Sequence, residues 1–147
     1  MPETLHIITG ATGLLGASMI LELARDTSDR LLCLARPGRC EPGVRVRQAL
    51  EQAAHAYDLP QVQIEEAMRR TTALAHDVLD EDGPDLPQPV GHPDSVRVWH
   101  LAAHTNLSER ARRRCFAANV GGTRRLLALA RRWGAQSFSY MSTAQPD

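Results

Sequence analysis

The chain contains no lysine: all 17 of its basic residues are arginine. We read this as a compositional bias, but it excludes from these 147 residues any chemistry that needs a lysine ammonium. Net charge is missing too, because 17 acidic residues balance the arginines. Such a balance gives no basis for a nucleic-acid or anionic-membrane partner. Cysteine is scarce, and Cys33, Cys40 and Cys115 form neither C-x-x-C nor any other metal-type spacing. Three scattered thiols fit a reducing, cytoplasmic setting. A signal peptide is not expected, since Glu3 precedes the first apolar run and no basic region stands before it. Leu5–Leu21 carries no acid or arginine, but its three glycines, two threonines, Ser18 and His6 argue against a membrane helix.

What is present alternates between two periodicities. Short apolar runs at Thr4–Thr9, Arg30–Ala35, Thr72–His76, Val96–Leu101 and Ser137–Ser142 read as strands. Leu14–Arg25, Val44–Ala56, Val62–Arg69 and Ser108–Arg132 read as helices, the last with an apolar stripe at Phe116, Val120, Thr123, Leu127 and Ala130. The proline-rich, acidic stretch Asp77–Asp94 reads as a loop standing where a third crossover helix would be. Strands alternating with helices imply a Rossmann-like, doubly wound parallel α/β sheet of about five strands, in one domain over residues 1–147.

Between the first strand and helix lies "TGATGLLG", with Gly10, Gly13 and Gly16 in G-x-x-G-x-x-G spacing. The first glycine permits a tight turn, the second admits a pyrophosphate to the backbone, and the third lets the helix approach the sheet. Backbone donors over Gly10, Thr12, Gly13, Leu14, Leu15 and Gly16, with the helix dipole, then form an anion site. An acid after the second strand would hydrogen-bond the ribose hydroxyls of NAD, but here the strand ends Leu34-Ala35-Arg36. The planar fork of Arg36 suits a 2′-phosphate, which points to NADP(H). Arg39 reads as a solvated surface residue, while Arg45 is open to either role.

The order of later motifs supports a family resemblance. With "HDV" at His76–Val78, "HLAA" at His100–Ala103, "NVGGT" at Asn119–Thr123 and "MST" at Met141–Thr143, the turn resembles the extended short-chain dehydrogenase/reductase family. "CLARP…RVRQALEQ" and "AAHTNL" are similar to its thioester-reductase branch, related to male-sterility-type fatty acyl reductases and carboxylic acid reductases. The resemblance covers the whole chain. It implies that Asp77 and Val78 lie beside adenine, that Leu101, Ala102 and Ala103 line the cofactor, and that Arg45 joins Arg36 on the phosphate. A loop-capping carboxylate is the other reading of Asp77. Asn119, inside a helix, is expected to hold the active-site backbone directly or through water. Gly121 and Gly122 are expected to allow close packing of that helix on the sheet. His100 and His104 straddle a strand end and are not read as metal ligands. The arginines at 112–114, 124, 125, 131 and 132 are read as a solvated helix face.

Reduction in this family uses a Tyr as general acid, a Lys four residues later, and a Ser or Thr that positions the carbonyl. Thr143 fits the last role, with Ser142 beside it. Tyr57 and Tyr140 are followed four residues on by Gln61 and Ala144, so the Tyr–Lys pair is absent. The chain is therefore expected to be the N-terminal cofactor part of a larger reductase of acyl thioesters, held on coenzyme A or a carrier protein. Alone it is expected to have no turnover, and its fifth strand is expected to present an apolar edge to a homodimer partner or a C-terminal region. Two other readings stand: a nucleotide-sugar epimerase or dehydratase, and a non-catalytic dinucleotide-binding sensor.

Overall fold

The computed structural model describes residues 2–80, 86, 89, 91–106 and 108–142. Five strands form one parallel sheet: β1 (Thr4–Thr9), β2 (Arg30–Ala35), β3 (Thr71–Ala75), β4 (Ser95–His100) and β5 (Ser137–Tyr140). Their order across the sheet is β3-β2-β1-β4-β5. The apolar runs make β1 and β2 strands buried on both faces, as parallel sheets require. Leu5 pairs with Arg30 on one side and Val96 on the other, and Thr9 with Leu34 and His100.

One face is covered by α1 (Leu14–Asp26), α2 (Pro42–Ala56) and α3 (Gln61–Arg70). Ile8, Ile20, Leu31, Val46, Leu50 and Ile64 meet in its core. The alternation along β1 sends Leu5 and Ile7 to the opposite face, against Val98, Leu126, Leu129 and Trp133. The expected doubly wound architecture is therefore present, with strand ends differing from the sequence reading by one or two residues. Ser142 lies beyond β5, and among the described residues Asp77–Asp94 holds no helix or strand.

The region after β4 departs from expectation. Instead of one regular helix over Ser108–Arg132, there is a 3₁₀ turn (Glu109–Ala111), then α4 (Arg112–Phe116), a π turn (Ala117–Gly121) and α5 (Gly122–Arg132). The backbone stays helical throughout. A π turn fits one extra residue into a helical turn and rotates the remainder of the helix by roughly 100°. Past the π turn the apolar stripe slips in part: Leu126 and Leu129 are buried and Leu127 is 39 % exposed, while Ala130 is buried as expected; Phe116, which precedes the turn, is 69 % exposed. Gly122 does permit close packing, but against the segment after β3. A Cβ there would lie 2.8 Å from the Leu79 Cα and 2.9 Å from the Val78 carbonyl oxygen.

Candidate functional site

The chain runs outward from β1 to β2 and β3, then returns to β4 on the other side of β1. The connections leaving β1 and β4 therefore diverge, opening a crevice at the carboxyl ends of the strands. A cleft of about 320 Å³ occupies this position.

Its floor is the glycine turn. Gly10 has φ +72°, and a Cβ on it would stand 2.8 Å from the Leu101 carbonyl carbon and the Ala102 nitrogen. The Gly13 N–H donates to the Gly10 carbonyl at 3.0 Å, closing the turn. A Cβ on Gly16 would collide with that same carbonyl oxygen. α1 begins with no acid in its first turn and no side-chain cap, so its leading N–H groups stay available to an anion. Gly10, Thr12 and Gly13 line the cleft. Gly16 is buried behind them, and Leu14 and Leu15 are exposed on the first helical turn.

Arg36, Asp77, Val78, Leu101, Ala102 and Ala103 line the same cleft. Asp77 also behaves as the loop cap of the alternative reading, since its Oδ1 accepts from the Leu79 N–H at 3.0 Å. Arg45 is not a lining residue. Its Nη1 donates to the Arg36 carbonyl, so it braces the loop that carries Arg36. Asn119 does not line the cleft either. Its Oδ1 accepts from the His104 N–H at 2.7 Å and its Nδ2 donates to the His104 carbonyl at 3.0 Å. These two bonds hold the His104 backbone directly. Thr143 lies outside the described residues. Among the described residues, no group of three or more His, Cys, Asp or Glu is placed to hold a metal ion.

Behind the cleft lies a buried polar relay that the sequence pattern does not announce. The Thr9 Oγ1 is 2.7 Å from His100 Nδ1, and His100 Nε2 is 2.9 Å from Thr123 Oγ1. Thr123 Oγ1 donates to the Asn119 carbonyl at 2.5 Å, so it must accept from Nε2–H. Nδ1 is then an acceptor, and the Thr9 hydroxyl donates to it while accepting from the Leu101 and Ala102 N–H groups at 3.2 and 3.1 Å. Every proton in the chain is thus assigned, and His100 is neutral. Burial pushes its pKa from 6.5 down to about 4. Protonation would also put a hydrogen between two donors. Thr9 and His100 are fully buried at paired strand ends, where buried polar groups need partners, and that pairing is evident only once β4 lies beside β1.

The male sterility protein family of NAD-binding domains matches residues 8–147. The chain belongs to this family. Among curated proteins, an isonitrile lipopeptide synthase of Mycobacterium tuberculosis is 31% identical over 94% of the chain, which spans 6% of that protein. The solved terminal R domain of the myxalamid PKS-NRPS biosynthetic pathway is 29% identical, with a TM-score of 0.71 over 97% of this chain and 35% of that one. A reductase domain of a Mycobacterium tuberculosis non-ribosomal peptide synthetase is also 29% identical, with a TM-score of 0.59 over 98% and 34%. The chain therefore spans about a third of the solved relatives and a small part of the curated one. A UDP-glucuronic acid 4-epimerase of Bacillus cereus, 18% identical at a TM-score of 0.61, shares the fold. Within the male sterility family, this chain is thioester-reductase-like, with the N-terminal, NAD(P)-binding α/β part. No helix among the described residues is long and apolar enough to cross a membrane.

Proposed function

We propose that this chain is the NADP(H)-holding part of a reductase that converts an acyl thioester, held on a carrier protein or coenzyme A, to an aldehyde. The observation that carries the reading is the cleft itself, a three-glycine cradle at a helix N-terminus with Arg36, and no acid, at the end of β2. The residues fit a dinucleotide. Gly10, Thr12 and Gly13 would hold the pyrophosphate, Asp77 and Val78 would flank the adenine, and Arg36 would pair with the 2′-phosphate. Arg45 acts by bracing the Arg36 loop. Leu101, Ala102 and Ala103 would wall the nicotinamide half, kept in place by the Thr9–His100–Thr123 relay.

When bound, a reduced nicotinamide supplies hydride. The protein's part is to hold the reacting carbonyl, which we assign to Thr143, and to provide a proton. The usual Tyr-x-x-x-Lys source is not in these 147 residues, so this chain alone is expected to turn nothing over. The second reading is a dinucleotide-binding module without chemistry. Free cysteines suit a cytoplasmic setting for either.

An assay of the full gene product with NADPH and an acyl thioester separates the two readings. Consumption of NADPH with release of aldehyde, absent for the 147-residue chain, is the expected result. Tight NADPH binding with no consumption by the full product would leave only the binding module.

A further inference from the structure

Beside the nucleotide cleft lies an adjoining cavity of about 440 Å³ that no role described so far uses. The two spaces share Arg36, Asp77, Leu79 and His104, whereas the glycine cradle lines the cleft alone. Arg36 and Asp77 are the residues proposed for the 2′-phosphate and the adenine, so the cavity opens at the adenosine end. Another of its walls belongs to α4 and the π turn, which supply Arg114, Ala117 and Ala118. At spacings of three and four, these residues share one side of the helical run. The two alanines bring only methyl groups, which leaves Arg114 as the one long side chain of the row.

Two cations therefore face one cavity. Among the described residues, neither the Arg36 nor the Arg114 guanidinium has a hydrogen-bond or ion-pair partner. Asp77 shares the cavity, but its Oδ1 accepts from the Leu79 N–H. The neighbouring arginines provide an internal comparison. Arg112 and Arg113 are also exposed on α4, yet they line neither space. Arg45, the second phosphate partner that the sequence suggests, is committed to the Arg36 carbonyl. The place for a second cation is thus open, and Arg114 stands at it.

We propose that the cavity seats the 2′-phosphate between Arg36 and Arg114, so that Arg114 is a second specificity-determining residue for NADP(H) over NAD(H). This role rests on the nucleotide reading of the cleft. A phosphomonoester, with about two negative charges, matches two guanidiniums that each offer a planar set of N–H donors. A ribose hydroxyl in the same place offers no charge to either. The two arginines differ in how they are held. Arg36 stands on a loop braced by Arg45, while Arg114 is an exposed side chain with no partner to fix it. Arg114 therefore closes on a phosphate that Arg36 already holds, and the two contributions are coupled.

Calorimetric titration of the full gene product with NADPH and NADH tests this role, with Arg113→Ala as a matched loss of charge. Arg114→Ala should weaken NADPH by about fivefold and leave NADH unchanged, while Arg113→Ala should change neither. Among its described residues α4 buries no side chain, and alanine suits a helix, so both variants should fold as the native chain does. In an Arg36→Ala background, Arg114→Ala should have no further effect. The same pattern should appear with 2′,5′-ADP against 5′-AMP, which carry the phosphate contrast without a nicotinamide. Arg114 loses the role if its alanine variant leaves NADPH binding intact, or if its effect is unchanged without Arg36. It also loses the role if NADPH and NADH weaken alike, or if Arg113→Ala does the same, since either result means diffuse attraction. A native chain that prefers NADPH, and loses that preference with Arg36→Ala but not with Arg114→Ala, keeps the nucleotide reading and refutes Arg114 alone. A native chain that binds NADH as tightly as NADPH, or binds neither, sinks both.

Discussion

The junction after β1 and the junction after β4 bound the same cleft with different materials. After β1 the chain is tight because side chains are missing: Gly10, Gly13 and Gly16 leave backbone against backbone. After β4 it is tight because side chains are present. Thr9, His100, Thr123 and Asn119 hold Leu101, Ala102 and His104 by hydrogen bonds that span up to 93 residues of sequence. Gly10 and Gly16 tolerate no added atom, and the relay tolerates no lost one. The two meet where Gly10 passes the Ala102 nitrogen.

The most damaging way to break this comparison is on the glycine side. Gly16→Ala places a methyl on the Gly10 carbonyl. It should destabilise the chain by about 3 kcal/mol and abolish nucleotide binding, read by thermal melting and titration. Gly43→Ala is the contrasting control, because nothing lies within 4 Å of its Cβ in α2. It should be neutral or slightly stabilising.

On the relay side the largest effect is on pH dependence. His100 is held neutral in the fold, with its pKa near 4 instead of 6.5. Between those values the unfolded chain binds a proton that the folded chain refuses, so stability is complete above pH 6.5 and declines as pH falls toward 4. The loss attributable to His100 should approach about 3 kcal/mol. It should appear as a difference between the denaturation curves of the native chain and His100→Gln, which cancels the contributions common to both. A native curve with the same slope as the variant's would mean that His100 is not a buried neutral donor.

Asn119→Ala should have a smaller effect. It removes both hydrogen bonds to the His104 backbone and should cost about 1–2 kcal/mol. If the clamp positions the cleft wall, nucleotide affinity should fall more than the melting temperature alone would imply. Unchanged affinity would confine Asn119 to stability.

These contrasts also mark how far the sequence is legible. The parallel architecture, the strand positions and the glycine turn can be read from it because each depends on local pattern: apolar runs, helix periodicity, and glycines at one βα junction. The tightness at Gly10 and Gly16 comes from those glycines directly. The relay is not legible, since Thr9 and His100 look like ordinary strand-end residues until β4 is placed beside β1. The π turn is hidden for another reason. Nothing in Ala117–Gly121 marks an extra residue in the helical turn, so periodicity carried through it gives Leu127 the core position that Leu126 occupies. Gly122 stands out as a mid-helix glycine, but its partner at Val78–Leu79 belongs to a loop that has no periodicity to read.

The central claim is that the cleft takes a dinucleotide with a 2′-phosphate on Arg36. The most direct measurement is a calorimetric titration of the chain with NADPH and NADH, repeated on Arg36→Ala. NADPH should bind at least about tenfold more tightly than NADH, and Arg36→Ala should remove the difference by weakening NADPH alone. Equal binding of both nucleotides, or a preference for NADPH that survives Arg36→Ala, would contradict it.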